Sequence, residues 1–251
     1  MGELDGKVAL VTGAGQGVGQ GIAFSLAAAG ATIAVSGRTA SKLEDTCKQI
    51  VDRGGRAATF PCDVKDEASL ASMVDDIVAQ LGTIDILVNN AQEVPLGPLD
   101  GVSDAAFSAG WESGPLATFR LMKLCKPHLA GGGSIVNLGT AAAKRWDMSN
   151  YGCYAAVKEA IRAITRAAAC EWAVDGIRTN VILPLAKSPG LAGWIDNAPE
   201  EAEAYFQTIP MRRVGELEED IGRFVVTLCS DACAYVNGQS IALDGGQALI
   251  G

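Results

Sequence analysis

A chain of 251 residues, 49% hydrophobic but only 6% aromatic, is the size of one α/β domain with a core of Ala, Val, Ile and Leu. Its net charge of -9, from 20 basic and 29 acidic residues, repels phosphate backbones and argues against nucleic acid as a partner. A single histidine, His128, leaves no His-rich metal site and no Ser-His-Asp triad that does not rest on that one residue.

Short apolar runs alternate with helical patterns along the whole chain. A strand is predicted over residues 7–11, a helix over 22–29, a strand over 31–36, a helix over 41–52 and a strand over 57–60. Residues 67–80 carry Leu70, Val74 and Ile77 at helical spacing, continued by Leu81. A fourth strand follows over 84–88, a helical region over 104–129, a fifth strand over 134–138 and a long helix over 151–174. Residues 177–183 read as the sixth strand, 217–229 as a helix and 240–243 as a last strand. Strands apolar on both faces and separated by helices predict a doubly wound parallel sheet, a Rossmann-type fold, as a single domain over residues 1–251. The irregular stretch 185–210 follows a strand's carboxyl end, where a lid over a ligand is expected.

Residues 8–37 contain no charge, yet glycines, Thr, Gln and Ser interrupt them, so no membrane span is expected. Seven cysteines, without a Cys-x-x-Cys and with nothing upstream resembling a signal peptide, read as free thiols in a reducing cytoplasm. Cys229 and Cys233 stand four apart on a predicted helix without partner ligands, so no metal is expected there.

The run Thr12-Gly13-Ala14-Gly15-Gln16-Gly17-Val18-Gly19 lies between the first strand and the first helix. Glycines there let the backbone turn sharply and approach a pyrophosphate, whose charge a helix N-terminus favours. Tyr154 and Lys158, four apart on the long helix, share one face. A phenol with a pKa of about 10 exchanges protons poorly near neutrality. An adjacent ammonium is expected to bring it down and make it a general acid/base.

In order and spacing these motifs resemble the short-chain dehydrogenase/reductase family over essentially the whole chain. Asp63-Val64 matches its adenine-contacting pair, and Asn89-Asn90-Ala91 matches Asn-Asn-Ala-Gly with Gln92 in place of the glycine. Tyr154-x-x-x-Lys158 matches the catalytic pair, and Asp244-Gly245-Gly246 the C-terminal signature. The resemblance implies cofactor contacts from Gly13, Gln16, Gly17, Val18, Gly19, Asn90, Ala91 and Pro184. It also implies that Lys158 holds the nicotinamide ribose. Thr140 stands where the family has its substrate-orienting Ser, and Ser188 where a Thr often holds the nicotinamide amide. Leu185 replaces a glycine after Pro184, which is expected to shift the cofactor loop. The position of the family's Asn in the helix before the fifth strand falls on Gly114, followed by Pro115, and the Gly-Pro pair is expected to supply the kink by main-chain geometry.

Members that prefer NAD usually end the second strand with a carboxylate. Here Val35-Ser36-Gly37-Arg38-Thr39 carries Arg38 instead, which favours NADP(H), although Gln16 is not the second basic residue of some relatives and NAD(H) stays open. The implied activity is that of a carbonyl reductase or alcohol dehydrogenase, with Thr140, Tyr154 and Lys158 as catalytic residues. Trp146, Trp194, Tyr205 and Phe206 point to a hydrophobic ketone or secondary alcohol as substrate, and the family implies a homotetramer. Two alternatives remain: a catalytically weak dinucleotide-binding module, and an enoyl reductase working through Tyr151, seven residues before Lys158.

Overall fold

The computed structural model describes residues 2–144 and 150–248. Among these, seven strands form one parallel sheet: β1 (Val8–Thr12), β2 (Thr32–Gly37), β3 (Arg56–Pro61), β4 (Ile86–Asn89), β5 (Ser134–Leu138), β6 (Arg178–Pro184) and β7 (Ser240–Leu243). Their order is β3-β2-β1-β4-β5-β6-β7, so the winding reverses between β1 and β4. Ala9 pairs with Thr32's neighbour Ile33 on one side and with Ile86 on the other. The crevice outside the carboxyl ends of β1 and β4 is the place where such sheets bind ligands.

Helices cover both faces. α1 (Gly17–Ala28) and α2 (Ala40–Asp52) pack on one, where Ile22, Leu26, Leu43 and Ile50 meet Val11, Ile33 and Val88. α3 (Glu67–Leu81) covers the other, with Leu70, Val74 and Ile77 against Leu10 and Leu87. Alternate residues of β1 therefore face opposite cores, which is why its run is apolar throughout. Asp66 starts α3 by accepting from the N–H groups of Ala68 and Ser69, and Gly82 ends it at φ +89°.

The helical region before β5 is not continuous. α4 (Asp104–Trp111) and α5 (Ala117–Leu129) are joined by a π-helical turn, Glu112–Leu116, that contains Gly114 and Pro115. Proline has no N–H to donate, and the wider turn absorbs the lost bond. α6 (Gly152–Glu171) ends three residues before the predicted limit, and residues 173–175 form a separate 3-10 turn closed by Gly176 at φ +77°. β6 leads into α7 (Pro189–Asn197) and α8 (Pro199–Phe206), two short helices within the stretch read as irregular. A π-helical turn, Leu217–Gly222, precedes α9 (Arg223–Cys229). Cys229 and Cys233 do not share a helix: Cys229 closes α9, and Cys233 lies beyond Ser230, whose hydroxyl caps a 3-10 turn.

Candidate active site

A cavity of about 1290 Å³ opens at the β1/β4 crevice and runs across the carboxyl ends of the strands. The glycine loop forms its floor. Gly13 and Gly17 adopt φ of +64° and +62°, where a side chain would be strained. A Cβ on Gly19 would come within 2.4 Å of Asn90 Nδ2 and 2.6 Å of the Gly13 carbonyl. The loop is clasped to β4 by Thr12, whose Oγ1 accepts from the N–H groups of Asn90 (3.0 Å) and Ala91 (3.1 Å). Asn90 Nδ2 donates in return to the Thr12 and Gly13 carbonyls at 2.9 and 3.2 Å. Gln16 caps α1 in extended conformation without a side-chain bond to the helix, so its side chain does not compete for the helix's first N–H groups.

Thr140, Tyr154 and Lys158 converge where β5 ends and α6 begins. All three line this end of the cavity. Lys158 is buried, and its Nζ donates to the Leu138 carbonyl at 2.8 Å while lying 5.6 Å from the centre of the Tyr154 ring. Withdrawal from water lowers the Lys158 ammonium to about 7. Burial pushes the Tyr154 phenol up to about 12, against a smaller opposing pull from the Thr140 side chain. The expected lowering of the phenol by its neighbouring ammonium is not met: burial governs the shift, and Lys158 is not among its causes. The Tyr151 ring stands 6.1 Å from that of Tyr154 on the same cavity wall.

At the opposite end of the cavity, Arg38 lies beside Thr39, Asp63 and Val64. Asp63 Oδ1 accepts from the Lys65 N–H at 3.0 Å, which holds the turn after β3. A second cation, missed in the sequence reading, is present here. Lys42, on the first turn of α2, donates through Nζ to Gln16 Oε1 and so supplies the charge that Gln16 lacks. The glycine loop approaches that turn closely, and a Cβ on Gly15 would touch Lys42 Cβ at 3.0 Å.

Gln92 was read only as a departure, yet its side chain reaches the π-helical turn. Nε2 donates to the Gly110 carbonyl at 2.7 Å and to the Glu93 carbonyl at 2.8 Å. Ser113, in that turn, accepts from the Glu93 N–H at 2.9 Å and donates to the Ala109 carbonyl at 2.7 Å.

On the far side, Pro184, Leu185, Ser188, Trp194 and Tyr205 line the cavity. The Ser188 hydroxyl caps α7 by accepting from the Leu191 N–H at 3.3 Å. The Leu185 segment is tied down, its N–H donating to the Leu243 carbonyl and its carbonyl accepting from Gly215. Trp194 meets Tyr205 edge-on at 5.8 Å, and Phe206 packs against Tyr205. Trp146 lies outside the described residues. Cys153 is buried, and among the described residues no cluster of His, Cys, Asp or Glu is arranged to hold a metal. No helix among them is long and apolar enough to cross a membrane.

The residues present fit a dinucleotide. An open glycine cradle that Cβ atoms would fill stands at the middle of the cavity, with cations at one end and a hydroxyl pair beside a lysine at the other.

Comparison with known proteins agrees with this geometry. A family model described as enoyl-(acyl carrier protein) reductase matches residues 13–248. The chain is similar to a 12alpha-hydroxysteroid dehydrogenase of Clostridium sp., 38% identical over 256 residues and covering 98% of each chain. It is also similar to the solved structure of a 7-alpha-hydroxysteroid dehydrogenase complexed with NADH and 7-oxo glycochenodeoxycholic acid. That likeness has a TM-score of 0.91 and 35% identity, over 97% of this chain and 94% of the other. A short-chain dehydrogenase from Burkholderia cenocepacia J2315 in complex with NADP gives a TM-score of 0.91 at 29% identity, over 98% of this chain and 99% of the other.

Proposed function

Since the chain belongs to the short-chain dehydrogenase/reductase family and is an oxidoreductase acting on CH–OH and C=O groups, we propose that it is an NADP(H)-dependent reductase of hydrophobic ketones, acting also on the matching secondary alcohols. The observation that carries this reading is the convergence of Thr140, Tyr154 and a buried Lys158 at one end of the cavity that holds the glycine loop.

Gly13, Gln16, Gly17, Val18 and Gly19, at the α1 N-terminus, would hold the pyrophosphate, and Asp63, Val64, Asn90 and Ala91 the adenosine. Pro184 and Ser188 would border the nicotinamide, and Lys158 would reach its ribose. When bound, the cofactor supplies hydride transfer at the substrate carbon. Thr140 Oγ1 and Tyr154 Oη orient the substrate oxygen, and Tyr154 Oη gives or takes its proton. In the reacting complex Lys158, fixed by the Leu138 carbonyl, would act on that proton electrostatically. Arg38 and Lys42 support NADP(H), because both offer donors to a 2′-phosphate where many relatives carry a carboxylate.

A cavity of about 1290 Å³ exceeds the roughly 300–1,000 Å³ of single-ligand sites, as cofactor plus substrate requires. Trp194 and Tyr205 on the stretch 185–210 give the substrate end an apolar wall, and we read that stretch as a lid. Hydroxysteroid relatives point to a polycyclic ketone within the hydrophobic class. Exposed Phe107, Trp111 and Phe119 on α4 and α5 support a homo-oligomer, of which a homotetramer is the family's form. Seven free cysteines accord with a reducing compartment, the cytoplasm.

The enoyl reading has one observation in its favour: Tyr151 lines the same cavity and is the more exposed phenol. Following NADPH absorbance against keto-steroids, simple ketones and enoyl thioesters, with NADH in parallel, separates the readings. Ketone turnover that collapses in Tyr154→Phe supports the reductase; enoyl turnover that survives it supports Tyr151. Tight NADPH binding with neither activity leaves the binding module.

A further inference from the structure

We propose that Glu93 sets the cofactor preference by holding Arg38 and Lys65 on a carboxylate that a nucleotide 2′-phosphate must displace. Three loops meet at this point, from the carboxyl ends of β2, β3 and β4. One oxygen, Glu93 Oε1, takes both Arg38 Nη1 at 2.9 Å and Lys65 Nζ at 3.0 Å. Its backbone is fixed on both sides, the N–H on Ser113 Oγ and the carbonyl on Gln92 Nε2, so the carboxylate projects from a rigid base. Arg38 and Glu93 both line the cavity that contains the glycine loop, which distinguishes this cluster from an ion pair elsewhere on the surface.

The charges decide what the cluster can do. Two cations share the Glu93 carboxylate, Asp63 adds a second negative charge beside Lys65, and Lys42 stands nearby on Gln16, so three cations face two carboxylates and the region stays under-neutralised. A phosphate monoester carries about -1.5 to -2 charges and three acceptor oxygens, so it can replace a carboxylate of charge -1 on the same donors. The replacement has a cost, because the freed Glu93 stays close to the incoming anion. A nucleotide without the 2′-phosphate leaves the Arg38–Glu93–Lys65 cluster intact and meets no such cost. Glu93 therefore weakens binding of the phosphorylated cofactor selectively and narrows the margin between NADP(H) and NAD(H). This inference rests on the reading of Arg38 as the 2′-phosphate ligand.

Titration calorimetry on the full chain at low ionic strength, with 2′,5′-ADP and 5′-AMP as probes, tests it. In Glu93→Gln, and in Glu93→Ala as a second variant, 2′,5′-ADP should bind about three- to five-fold more tightly, the scale of an exposed ion pair. Binding of 5′-AMP should stay as in the unmodified chain, and adding Arg38→Ala to Glu93→Gln should abolish the gain. Unchanged or weaker 2′,5′-ADP binding in both Glu93 variants overturns the inference. If Arg38→Ala alone weakens 2′,5′-ADP while the Glu93 variants do nothing, the NADP(H) reading stands and only Glu93's role falls. If Arg38→Ala leaves 2′,5′-ADP untouched, the NADP(H) reading fails and takes the inference with it.

Discussion

The side-chain amide of Gln92 occupies the space that a side chain at Gly114 would fill: a Cβ built there would lie 2.3 Å from Gln92 Oε1 and 2.8 Å from Nε2. Two departures from the family, a glutamine for a glycine and a glycine for an asparagine, are therefore one relationship. The Oε1 atom is buried without a protein partner among the described residues, while both Nε2 bonds orient the amide.

Gly114→Ala should consequently destabilise the protein by about 1–3 kcal/mol, although alanine ordinarily favours a helix. Adding Gln92→Ala should recover much of the loss. Urea denaturation of the two single variants and the double variant measures the coupling. Additive effects would show that the two residues do not compete for space.

Thr12→Val should cost about 2–4 kcal/mol, because the isosteric methyl leaves the Asn90 and Ala91 N–H groups without their acceptor. Nucleotide affinity should fall with it, since the clasp holds the glycine loop against β4. Thr12→Ser keeps the oxygen and should restore both properties. Thermal unfolding combined with cofactor titration provides the check.

Lys158 gives a stability prediction with a definite sign. Its folded-state ammonium loses its proton near pH 7, whereas in the unfolded chain it keeps it to about its ordinary 10.5. Between those limits the unfolded state binds more protons, so stability rises with pH. Lys158→Met, free of the desolvation cost, should be more stable than the unmodified chain by about 2–4 kcal/mol at pH 6.5, and inactive. That advantage should shrink steadily up to pH 10. Melting temperatures of both proteins across this range decide it, and a pH-independent difference would contradict the burial argument.

Tyr154→Phe should lower kcat for ketone reduction about 10²–10⁴-fold with little change in nucleotide binding. Thr140→Val should lower it as well, while Thr140→Ser, which retains the hydroxyl, should stay within about ten-fold of the unmodified rate. Steady-state kinetics on a turned-over ketone, alongside cofactor affinity, distinguishes lost chemistry from lost binding.

The seven strands were legible because a sheet buried on both faces writes its strands as short, largely apolar runs, as in 8–11 and 86–88. The glycine loop and the Tyr154–Lys158 spacing were legible because each depends on neighbours within a few residues. What escaped the sequence depends on contacts between distant segments. Lys42 meets Gln16 across 26 positions, and Arg38 meets Glu93 across 55, only because the order of β2, β1 and β4 brings their loops together. The break within 104–129 was legible at Gly114-Pro115, because proline cannot donate the helical bond; its form as a π-helical turn was not. The upward shift of the Tyr154 phenol escaped because it depends on how much water the cavity walls exclude.

The register of β1 has a consequence for how the protein is made. Ala9 pairs with Ile86 and Val11 with Val88, so one edge of the first strand stays bare until nearly ninety residues have left the ribosome. Such long-range parallel pairing closes slowly and leaves an apolar strand edge open to wrong partners meanwhile. The Asn90 clasp follows within two residues, whereas the Tyr154–Lys158 pair is synthesised some sixty residues later, so the nicotinamide end of the site is completed last. A chain extended past α6 is the first that can use its whole cofactor as a folding ligand.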